Sequence, residues 1–103
     1  MSFSPQLPGA DLVRQGLDDL AARRLSQEAL LVAIGAPRLR RLMSEPALDG
    51  DRPVEPELAL YREICRQSPD DAHSRYNALI RRLVSFEHAL ELEAASARRR
   101  GLR

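Results

Sequence analysis

The sequence predicts an all-α fold, a small bundle of four main helices with a long C-terminal helix. Three observations carry that reading. Hydrophobic residues make up 44% of the 103 residues while aromatics make up 4% and Trp is absent, so the core has to be built from Leu, Ala, Ile and Val. Leu and Ala are among the strongest helix formers. Apolar residues also recur at intervals of three and four rather than two, the period of an amphipathic helix. Finally, Ser, Gly and Pro cluster where such periodic segments would start and stop. The length suits one domain with one modest core.

Residues 1–9 contain Pro5 and Pro8 and no periodicity, which predicts an extended, loosely held arm. A first helix is expected from Asp11 to Arg24, with Leu12, Val13, Leu17 and Leu20 on one face. Its acid at the start and Arg23–Arg24 at the end suit the helix dipole. Ser26 is an N-cap residue for a second helix, and the run from Ala29 to Ile34 is apolar on nearly every face, as in a helix at the centre of a core. A short buried strand is the competing assignment; the Ser before the run and Gly35 after it favour helix, with Gly35 as its left-handed terminator. Pro37 to Met43 then reads as a further turn or two, with Leu39 and Leu42 inward and Arg38, Arg40 and Arg41 outward.

Residues 44–56 form a Pro-rich loop, long for so small a domain, and read as a hinge or a binding segment. A third helix is expected from Glu57 to Gln67, with Leu58, Tyr61, Ile64 and Cys65 inward. Ser68-Pro69-Asp70-Asp71 is the clearest punctuation: a cap, a proline for the first helical position, and two acids for the positive dipole end. The fourth helix runs from there to about Arg99. Ala72, Tyr76, Leu79, Leu83, Phe86 and Leu90 repeat at 4-3-4-3-4 along it, the spacing of a coiled-coil seam. The domain therefore occupies residues 10–100, with 101–103 as a short tail.

Composition narrows the function classes. The formal charge of +1 gives no chain-wide attraction to nucleic acid or membrane. All 16 basic residues are Arg; an absence of Lys everywhere reads as the GC-rich coding bias expected of a bacterial protein, ahead of selection for bidentate phosphate or carboxylate contacts. A single cysteine, Cys65, rules out an internal disulfide. With no secretory leader pattern and no apolar run near membrane length, a soluble, cytoplasmic chain is expected.

No glycine-rich phosphate loop, nucleophile elbow, HExxH or CxxC occurs. His88 with Glu91, and Asp70 with His73, are the nearest approaches to a site, and two ligands fall short of a tight metal centre. The expectation is no enzyme, no cofactor and no metal. Cys65 reads as a buried structural cysteine.

The expected partner is another protein chain, first of all a second copy. A fourth helix of about 45 Å outreaches its predicted neighbours, so Leu79, Leu83, Phe86 and Leu90 are either intramolecular core or the seam of a homodimer. The alternative partner is nucleic acid, reached by the Arg clusters 38–41 (Arg38, Arg40 and Arg41) and 98–103 (Arg98, Arg99, Arg100 and Arg103). An apolar helix, Gly35 and an Arg-bearing helix have the order of a helix-turn-helix, though with a recognition helix of barely two turns.

Overall fold

The computed structural model describes residues 3–101 and, among them, four α-helices and one 3-10 turn. They are α1 (Ala10–Ala21), α2 (Gln27–Leu42), the turn Pro46–Leu48, α3 (Pro56–Gln67) and α4 (Ala72–Gly101). The all-α bundle is as the sequence predicts. No described helix is long and apolar enough to cross a membrane.

α1 stops three residues earlier than expected, and the reason is local. Ala22 caps the helix and Arg23 takes a left-handed φ of 62°. The Arg23 amide donates to the Leu20 carbonyl at 3.0 Å and the Arg24 amide to the Asp19 carbonyl at 2.7 Å. This is a Schellman closure with an arginine where glycine is usual. Arg23 and Arg24 therefore lie in the closing turn, not in the last helical turn.

α2 is the hub. Ala29 to Ala33, Ala36 and Leu39 are buried, so α1, α3, α4 and the 3-10 turn all pack around it. Ser26 caps it as expected, its hydroxyl accepting from the Ala29 amide at 3.0 Å. Gly35 does not terminate it. The helix runs through Gly35 and Pro37 to Leu42, so the two segments read separately are one element and no helix-turn-helix exists here. Gly35 serves a close approach instead: a Cβ there would stand 2.8 Å from a Glu87 carboxylate oxygen and 3.0 Å from a Leu83 methyl. Pro37 leaves the Ala33 carbonyl without its helical donor, a loss the packing of Ala36 and Leu39 outweighs.

Three further expectations are corrected. The N-terminal segment is docked, not loose: Phe3 is buried and meets Phe86 edge-on with ring centroids 4.9 Å apart, under the Arg14 guanidinium. One aromatic side chain supplies the anchor that the prolines around it concealed. On α3 the inward residues are Leu60 and Ile64; Leu58 is exposed, and Tyr61 and Cys65 sit at the edge. The loop is pinned in its first half, where Leu48 is buried and Glu45 pairs with Arg14 at 3.2 Å. Pro69 falls in the turn before α4, whose first helical bond runs from the Arg75 amide to the Asp71 carbonyl.

Candidate functional site

α4 changes character along its length. Leu83, Phe86 and Leu90 are each 3% exposed or less, inside this chain's own core. Leu79 is half-buried beside Ile64 and Gln27. Three of the four residues read as a homodimer seam thus already have intramolecular partners. The stripe's spacing reported burial, and burial against α2 and α3 gives the same spacing as burial against a second chain.

α2 and α4 run in the same direction where they touch. Gly35 lies against Leu83 and Glu87, and Arg38 reaches Glu87 at 3.4 Å and Glu91 at 2.6 Å. Glu87 is buried, and that burial pushes its carboxyl pKa up, with Arg38 opposing the rise. A second buried carboxylate, Asp19, closes the α1–α2 turn. It accepts from Ser26 at 2.5 Å, from both the Nε and a terminal nitrogen of Arg24, and from Gln15 at 2.9 Å. These donors, the Ser26 hydroxyl first, hold it below the ordinary carboxylate range against the opposing effect of burial. Sequence reasoning passed over Asp19; the signal was an acid near a helix C-terminus, against the dipole, with an Arg pair and a Ser cap following.

The two arginine clusters fare differently. Arg38 is spent on Glu87 and Glu91, and Arg40 pairs with Asp49 at 3.4 Å. Arg41, Arg98 and Arg100 are exposed and have no carboxylate partner among the described residues, while Arg99 reaches only the Ser96 hydroxyl, and Arg103 lies outside the described residues. Because α2 and α4 run the same way, both clusters lie toward one pole of the molecule.

The remaining groups do not assemble. His73, His88, Asp70 and Glu91 are exposed, and no group of three His, Cys, Asp or Glu side chains gathers among the described residues. Cys65 is half-buried, and its thiol beside Tyr61 raises the Tyr61 pKa. Tyr61 and Tyr76 meet edge-on at 5.7 Å, which makes them packing aromatics at the α3–α4 seam.

The distal end of α4 carries no buried side chain among the described residues. Leu90 is the last buried residue, yet the helix continues to Gly101. Leu92 is 58% exposed on this stretch. No family model, curated protein or solved structure matches the chain.

Proposed function

We propose that this chain is a small helical interaction module that acts by binding, with the distal end of α4 as its contact element. One observation carries the reading: α4 continues 11 residues past its last buried side chain, about 16 Å of helix with no core to serve. A detached peptide of that length would be only marginally helical. Here it propagates from a packed helix, and its Ala and Arg residues are strong helix formers. Arg98, Arg99 and Arg100 in the last turn also suit the negative dipole end. Glu91 at its root is tied to Arg38, and past that pair the segment holds its shape through its own helical bonds, as a presented element must.

A self-associating version has one observation in its favour. Val84 and Leu92, two turns apart on α4, are 49% and 58% exposed. Two such side chains fall far short of the roughly 800 Å² per partner that a stable interface buries, so a monomer is the expected species. Light scattering behind a sizing column should return a mass near 11.6 kDa at every concentration. A dimer that Val84→Asp with Leu92→Asp dissolves would restore the homodimer reading and displace the present one. The contact element itself is tested by ending the chain after Glu93. Melting temperature should stay within a few degrees; a large drop would mean the distal end belongs to the fold and is not free to bind.

A further inference from the structure

The partner's chemistry follows from how charge is arranged at this pole, and the argument rests on the reading just given. Beyond Glu91, α4 carries one acid, Glu93, and then Arg98, Arg99 and Arg100. Successive helical residues turn by about 100°, so the three guanidinium groups fan over about 200° around the tip. The helix's carbonyl end contributes roughly half a negative charge, which three arginines exceed. Arg41, with no carboxylate partner among the described residues, adds positive charge at the C-terminal end of α2, toward the same pole.

A fan is not the arrangement that suits a flat anionic surface. A membrane-lying helix needs an apolar face opposite its charges, and Leu92 is the one large apolar side chain from Glu91 to Gly101. A fan suits a slot with negative charge on both walls. The major groove of B-form DNA is such a slot: about 12 Å wide between two phosphate rows, it admits one α-helix. The deep, narrow major groove of A-form RNA does not. We propose that the distal end of α4, with Arg41 at the same pole, is a DNA-binding element that enters the major groove and contacts the phosphates on both sides. The three arginines are assigned to phosphates rather than to guanine edges, and residues 92–101 contain no Asn or Gln to read adenine edges, so the contact proposed is to backbone and independent of sequence.

The test is fluorescence anisotropy with the full chain and a labelled mixed-sequence duplex. Three phosphate contacts weaken binding about 40-fold between 50 and 200 mM salt, and four weaken it about 150-fold. The triple variant R98E/R99E/R100E should lose binding while keeping its melting temperature and all but the last turn of its helix content. R41E should lower the salt slope by about one. R52E/R62E/R81E makes the same change in net charge at exposed sites elsewhere and should bind within about twofold of wild type, since those arginines lie outside the contact. Binding that is absent, insensitive to salt, or reduced equally by both triple variants overturns the proposal. Poly-glutamate and phosphatidylserine vesicles are run in parallel. If either binds through Arg98–Arg100 and the duplex does not, the DNA proposal fails while the α4 contact element stands. If none of the three probes binds, the DNA proposal fails, and the α4 contact element is decided by the truncation after Glu93.

Discussion

The α1–α2 turn and the α2–α4 contact each bury one carboxylate and one helical glycine, and they use them in opposite ways. At the turn, Asp19 has four side-chain donor contacts and its pKa falls. At the α2–α4 contact, Glu87 has one arginine at 3.4 Å and its pKa rises. The two carboxyls are almost equally covered, at 4% and 6% exposed. At Glu87 burial outweighs the single arginine and sets the direction, whereas at Asp19 the donors, the Ser26 hydroxyl first, outweigh burial. The glycines repeat the contrast. A Cβ on Gly16 would strike the Glu28 carbonyl, which is backbone, whereas one on Gly35 would meet the ends of the Glu87 and Leu83 side chains. The first contact is rigid and fully satisfied, and the second is looser and carries an uncomfortable charge.

Gly16→Ala is the hardest test of that contrast. The obstacle is backbone, so α1 and α2 must move apart, at a cost of about 3 kcal/mol in a urea titration. A loss no larger than that of Gly35→Ala would erase the difference between the two contacts. Asp19→Asn comes next, at about 2 kcal/mol near neutral pH, because the amide turns one donor toward groups that are themselves donors. Its pH dependence is specific. The native pKa lies below the unfolded value of about 3.8, so the charge contributes its full stability above pH 4 and loses it as pH falls through the lower native value. The variant's acid-unfolding limb should be shallower than that of the wild type.

Gly35→Ala should cost about 1 kcal/mol or less, since side-chain ends give way and alanine is the better helix residue. Glu87→Gln has the smallest effect and the opposite sign, a gain of up to about 1 kcal/mol at neutral pH. With its pKa raised above 4.5, Glu87 favours the folded state while protonated, and that contribution fades as pH rises through the raised value. The variant should therefore match wild type at low pH and exceed it above. Thermal melts across pH 3 to 8 check both carboxylates, and parallel curves for the two variants would refute the opposition.

Much of the fold was legible because helices are local. The Ser26 cap, the apolar run through Val32 and the period of α4 each announce their element within a few residues. What failed in the reading failed at places where local and tertiary demands conflict. Gly35 and Pro37 are breakers by propensity, yet α2 passes through both because Leu83 and Glu87 need the space on one and Leu39 anchors the other. Phe3 sits among prolines that suggest an arm, and the partner that docks it, Phe86, lies more than 80 residues away along the chain.

The functional surface divides along the same line. Composition and period by themselves determined the helical class, the centrality of α2, and a fourth helix longer than its neighbours, because those depend on contacts within a turn or two. Only the tertiary structure decided which charges and apolar stripes remain available. It spent Leu83, Phe86 and Leu90 on the core and Arg38 on Glu87 and Glu91, and it left the arginines at the end of α4 without a carboxylate partner among the described residues. Periodicity records that a face is covered and a charge run records that it is polar; what covers the one and pairs the other is fixed by packing between segments far apart in the chain.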